Sequence, residues 1–234
     1  DYLGYTPAFT IMDSDDRKSM IKNIVKTLKL DEKSSRFPKP EVLSSLFSLA
    51  DNEGAGIQET LENAYPYLSN HLDAILEVHD QYVARKQETN SMDFDDLLLN
   101  VVRLFQEQEH LRALYGSRFQ HILVDEYQDS NLVQEMITNC VSGWADGRKN
   151  IFMVGDVKQS IYRFRLARPE LFMEKYEQYS LTDSTEQRID LHKNFRSRSQ
   201  VLDSANFIFR QIMGTDLGGI AYDKAAALYP GAVF

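Results

Sequence analysis

The spacing of apolar residues changes character along the chain. From Asp13 to Val83 they recur every three to four positions, whereas between His121 and Arg165 they come in short unbroken runs. The first spacing marks helix faces and the second marks strands covered on both sides. Met20, Ile21, Ile24, Val25 and Leu28 form one stripe, and Asp13 or Ser14 can cap its helix. Pro38 and Pro40 interrupt the stripe. Pro40 suits the first turn of a second helix carrying Val42, Leu43, Leu46, Phe47 and Leu49. After a turn-rich gap from Asp51 to Gly56, Leu61, Leu68, Leu72, Ile75, Leu76, Tyr82 and Val83 keep helical spacing, with Pro66 as a break. Lys86 to Ser91 reads as a polar loop. Asp93, Asp95 and Asp96 then open a helix through Leu97, Leu98, Val101, Val102 and Phe105. Acids in a first turn favour the helix dipole, so capping explains them better than a metal site does.

Two runs, Ile122-Leu123-Val124 and Ile151-Phe152-Met153-Val154, predict adjacent strands of a parallel sheet, joined by a helix through Leu132, Val133, Met136, Ile137 and Cys140. Pro169 starts another helix. Arg188 to Leu191 predicts a third strand, Val201 to Met213 a helix, and the residues from Gly214 onward a loose tail. The expected organisation is a helical body over residues 1–117 followed by an α/β portion over residues 118–234.

Both strands end in acids and amides, where open α/β sheets bind ligands. Asp125 and Glu126 follow the first run, and Gly155 and Asp156 the second. An isolated Asp-Glu pair reads as a helix cap beside a solvated side chain. Four apolar residues ahead, Gln128-Asp129 behind and a second strand ending in Gly155-Asp156 favour nucleotide chemistry instead. In that chemistry a strand-tip aspartate serves Mg2+ and the glutamate after it serves the attacking water.

Asp125-Glu126-Tyr127-Gln128-Asp129 resembles motif II of superfamily-1 helicases of the UvrD/Rep type. The run Gly155 to Arg165 resembles their motif III, and Leu191 to Arg198 their motif IV. The wording of the last two is most similar to the AddA helicase–nuclease subunits. The resemblance implies a partial RecA-like parallel sheet with helices on both faces (motor domain 1A, residues 118–234) and a helical 1B-like subdomain with a lead-in (residues 1–117). It implies ATP and Mg2+ as cofactors, with Asp125 on the metal and Glu126 as the catalytic base. Gln159, Phe195 and Arg196 would contact ATP, and Tyr162, Phe164 and Arg165 would contact DNA. The partners implied are single-stranded and duplex DNA and a second, AddB-like subunit. Arg163 and Phe164 stand where the family usually has Gly and Trp, which alters the stacking face offered to a base.

The net charge of −9 argues against a protein that simply coats DNA, although a local basic channel would serve a motor. Cys140 is the single cysteine, fits a reducing cytoplasm and reads as a small buried hydrophobe. No apolar run approaches the ~20 residues of a membrane span. His71, His79 and His110 lack acidic or cysteine partners at ligand spacing. None of the eleven glycines belongs to a Gly-x-x-x-x-Gly-Lys-Ser/Thr phosphate loop. The chain therefore reads as a fragment of a larger enzyme, expected to be inactive alone. Two other readings compete: a non-catalytic interaction module derived from a helicase, and an unrelated Mg2+-dependent phosphohydrolase.

Overall fold

The computed structural model describes residues 2–30, 36–144, 147–215 and 220–232. It divides into two compact units, residues Asp1–Glu174 and Lys175–Phe234. The architecture is helix-rich with small parallel sheets.

The first unit opens with strand β1 (Thr10–Ile11) and helix α1 (Ser14–Thr27). Asp13 caps α1 by accepting from the backbone N–H groups of Asp15 and Asp16, each at 2.9 Å. Helix α2 (Pro40–Glu53) starts at its proline and ends on Gly54, whose φ of 63° supplies the left-handed cap. It thus runs three residues into the gap expected from Asp51, because Gly54 is the first residue there suited to terminate it. Helix α3 (Ile57–Ala64) stops before Pro66, a 3₁₀ turn spans Pro66–His71, and α4 (Leu72–Glu88) follows. Ile21, Leu43, Leu46, Phe47, Ile75 and Val78 are fully enclosed where these helices pack, so the 3.6-residue stripes become the core.

Lys86 was expected in a polar loop. Instead α4 extends past it and its side chain is 4% exposed, because the ammonium lies between the carboxylates of Asp93 and Asp96 at 3.2 and 2.7 Å. Strand β2 (Ser91–Met92) pairs parallel with β1. Asp93 caps α5 (Phe94–Glu107) through a reciprocal box with Asp96, as the acidic first turn suggested. Helix α6 (Glu109–Arg118) leads into the sheet that matters for chemistry.

That sheet holds β3 (Ile122–Val124) and β4 (Ile151–Met153), parallel and in register Ile122↔Ile151, Leu123↔Phe152, Val124↔Met153. Helix α7 (Leu132–Val141) connects them, capped by Asn131 and Gln134. Burial on both faces was expected and is not found: Leu123 is 75% exposed and its partner Phe152 56%. With two paired strands and no third among the described residues, one face has nothing to lie against. A full RecA-like sheet is not formed among the described residues.

Helix α8 (Pro169–Gln178) contains the division between the units. In the second unit the strand expected at Arg188–Leu191 does not form. Arg188 turns instead to Asp190 at 2.9 Å and to the carbonyl of Tyr176, and pairing begins at β5 (Lys193–Asn194). Helix α9 (Ser199–Ile212) follows, and β6 (Tyr229–Pro230) pairs parallel with β5. The expected loose tail is partly wrong. Asn206, 6% exposed, accepts from the Tyr222 hydroxyl at 2.8 Å and the Leu228 N–H at 2.9 Å, pinning residues 222–228 to α9. Asp216 to Gly219 and Val233 to Phe234 lie outside the described residues.

Candidate nucleotide and nucleic-acid site

Asp125 directly follows β3, and Asp156 lies three residues beyond β4. The ladder continues past the strands, with the Val154 N–H donating to the Val124 carbonyl at 2.8 Å and the Tyr127 N–H to the Val154 carbonyl at 2.9 Å. Asp125, Glu126, Asp156 and Gln159 therefore leave the same carboxyl edge. Asp125 and Glu126 are exposed.

Glu126 adopts a left-handed conformation, φ 52° and ψ 39°, uncommon for a residue with a side chain. The backbone strain is held by its surroundings. Tyr127 is 2% exposed, its hydroxyl donating to Glu135 at 2.6 Å and its ring against Phe172. The amide of Gln128, wholly buried, donates to the Glu126 carboxylate at 2.6 Å and accepts from the Asp156 N–H at 3.0 Å. One side chain thus clasps the two strand ends together. Gly155 is required beside it, since a Cβ there would meet the Gln128 oxygen at 2.6 Å and the Phe172 ring at 3.0 Å.

The sequence pointed to Gln128 only as part of a polar run; its role as a clasp needs the sheet register. Asp156 is committed to its own loop. It accepts from the Lys158 N–H at 3.1 Å, from the Gln159 amide at 3.2 Å and from the Lys158 ammonium at 2.8 Å. Two buried oxygens in these loops, Asp129 Oδ1 and Ser160 Oγ, carry no hydrogen bond among the described residues. Buried groups of that kind are normally satisfied by water or a ligand.

Among the described residues no group of three or more His, Cys, Asp or Glu side chains gathers as a metal cage. Mg2+ is ordinarily held by one or two carboxylates plus waters and substrate phosphates, so a single exposed strand-tip carboxylate such as Asp125 fits that ion. His79 serves packing: its ring meets Phe47 edge-on at 4.9 Å, and burial lowers its pKa.

The residues from Tyr162 to Arg165 stand out on the surface. Phe164 is 75% exposed, its ring 5.9 Å from that of Tyr162, and the Arg165 guanidinium lies 5.3 and 5.6 Å from the two rings. Leu166 reverses the chain with φ 63°. Arg163 is drawn off to Glu170 at 2.5 Å. Open aromatic faces with a shared cation suit stacked bases and phosphates.

In the second unit Phe195 and Arg196 are both exposed. The Asn194 side chain accepts from the N–H groups of Arg196 and Ser197 at 2.9 and 2.8 Å, shaping the loop that presents them. The Phe195 ring lies flush on Gly231, where a Cβ would approach within 2.7 Å.

Parallel strands ending in paired acids, an amide clasp and an exposed aromatic-cation turn define a nucleotide-hydrolase type of edge. Residues 1–180 match the family model described as UvrD/REP helicase N-terminal domain, and the chain belongs to that family. Its curated relatives are, by name, ATP-dependent helicase/nuclease subunits of the AddA type. The protein of Lachnoclostridium phytofermentans is 52% identical over 64% of this chain, that of Clostridium beijerinckii 38% over 91%, and that of Staphylococcus aureus (strain USA300) 36% over 94%. The chain spans 12%, 17% and 18% of their respective lengths.

Proposed function

We propose that this chain is part of an ATP-dependent DNA helicase motor, acting within a helicase–nuclease subunit in recombinational repair. The intact protein moves 3′ to 5′ along single-stranded DNA, unwinds duplex and works in the cytoplasm beside a second, AddB-like subunit. Residues 1–117 correspond to the helical 1B-like subdomain and residues 118–234 to part of motor domain 1A. One observation carries the reading: Gln128 ties the Glu126 carboxylate to the backbone of Asp156 across the carboxyl edge of β3 and β4.

In this scheme Glu126, fixed by Gln128, takes the proton of the attacking water. Asp125 holds Mg2+, which when bound neutralises developing phosphate charge. Gln159, on the loop anchored by Asp156, faces the γ-phosphate. Phe195 supplies a stacking face for adenine and Arg196 a planar cation for phosphate oxygens. Tyr162, Phe164 and Arg165 grip single-stranded DNA. The phosphate loop is outside these 234 residues, so the chain alone is inactive.

The test is hydrolysis by the intact protein with DNA present. Glu126→Gln should lower kcat by ~10²–10⁴-fold while nucleotide still binds. Asp125→Ala should weaken Mg2+–nucleotide binding itself. Normal turnover by Glu126→Gln would show that another group is the base.

A further inference from the structure

A buried polar chain runs from the helical body to the segment behind Glu126. Arg17 on α1 donates to Asp95 Oδ2 at 2.5 Å. Asn52 on α2 donates to Asp95 Oδ1 at 2.9 Å and to the Ser48 carbonyl at 2.9 Å, which occupies both hydrogens of its amide. Its oxygen accepts from the Asn131 amide at 2.9 Å. Asn131 in turn caps α7, accepting from the Gln134 N–H at 2.9 Å. Asn52 and Asn131 are 7% and 9% exposed.

We infer that Asn52 is a positioning residue for ATP hydrolysis: it is the buried joint through which the helical body holds the turn carrying Glu126. This inference rests on the helicase reading above. Three hydrogen bonds leave the Asn52 amide one orientation, and a misplaced partner would cost a buried unsatisfied group. Asn131 cannot shift without breaking either that bond or its cap. Immediately upstream, the Ser130 N–H donates to the Tyr127 carbonyl at 3.1 Å and the Asp129 N–H to the Glu126 carbonyl at 2.9 Å. The Ser130 carbonyl accepts from the Arg168 N–H at 2.9 Å, which fixes the chain just past Tyr162 to Arg165. One asparagine pair therefore locates both the carboxylate turn and the exit of the aromatic turn. Nothing in the helical body is needed to touch nucleotide for it to set the geometry of hydrolysis.

The experiment uses the intact protein with single-stranded DNA and ATP. Asn52→Leu keeps the bulk and removes the bonds. Asn131→Ser keeps the helix cap but is too short to reach Asn52. Each should lower kcat by about ten- to hundredfold, the scale of a small displacement transmitted from a remote residue, with KM for ATP within about twofold. The double variant should be no slower than the worse single one, because both remove the same joint. Losses in kcat that multiply in the double variant, or a rise in KM with kcat held, would overturn the inference. Should Asn52→Leu not fold, Asn131→Ser alone carries the prediction, and unchanged kcat there refutes it. Failure of the helicase reading looks different: the wild-type protein would not hydrolyse ATP, or Glu126→Gln would leave turnover intact.

Discussion

Replacing Lys86 by methionine tests the ion cluster at the centre of the helical body. Lys86→Met keeps the long stem and removes the ammonium. In the wild type that ammonium lies 3.2 Å from Asp93 and 2.7 Å from Asp96, with the three side chains 4%, 2% and 17% exposed. Breaking a buried pair from one side typically costs about 3–5 kcal/mol, because a charge is left without a counter-ion. Asp93 keeps other partners, the Tyr82 hydroxyl at 2.7 Å and the Arg17 guanidinium at 3.7 Å. Asp96 still accepts from the Asp93 N–H at 2.9 Å, so the lower end, about 3 kcal/mol, is expected. In a unit of this size that corresponds to a fall in Tm of roughly 6–12 °C.

The assay is urea and thermal unfolding of the 234-residue chain followed by far-UV circular dichroism. The pH dependence has a definite sign. Burial raises the Asp96 pKa even with Lys86 opposing it, and without Lys86 it rises further. A group whose folded pKa lies above its unfolded value takes up its proton first in the native state, so acidification favours the folded variant. Asp93 works the same way from the other side. Burial would raise its pKa, but Lys86 and Arg17 outweigh that and hold it low, so the wild type loses stability on acidification. The deficit should therefore be largest at neutral pH and narrow toward the carboxylate range. A deficit within about 0.5 kcal/mol, the range of an exposed substitution, or one that widens in acid, would refute the reasoning.

Three further outcomes can be checked separately. Gln128→Leu removes a hydrogen bond to the Glu126 carboxylate and should destabilise the chain by about 1.5–3 kcal/mol in urea unfolding; an unchanged midpoint would mean the clasp contributes nothing. Phe164→Ala should weaken single-stranded oligonucleotide binding by the intact protein by about 1–3 kcal/mol in fluorescence anisotropy while leaving ATP affinity alone, and equal DNA affinity would remove Phe164 from the interface. Burial pushes the Asp51 carboxyl up to about 7, partly opposed by Lys86, so wild-type stability should fall as pH rises from about 4 to that value. Asp51→Asn should lack this slope and gain on the wild type across the window; parallel stability profiles would show that Asp51 ionises normally in the fold.

Local chemistry made much of this molecule legible in the sequence. Helix starts at Ser14, Pro40, Phe94 and Pro169 follow from capping side chains and from proline geometry, which act within a few residues of themselves. The stripes of α1 to α4 identified the core because a helix face is written every third or fourth residue. The tips of β3 and β4 were readable for the same reason, as apolar runs ending in acids. Tertiary structure decided the contacts between distant positions. Lys86 looked like a loop residue until two carboxylates from the next helix enclosed it, and Gln128 became a clasp only when register brought the Asp156 N–H to it. Asn52 and Asn131 are ordinary polar residues until packing places their amides 2.9 Å apart across 79 positions of chain. Leu123 and Phe152 show the converse: their apolarity predicted burial, but burial requires a neighbouring layer, and no local pattern can supply one.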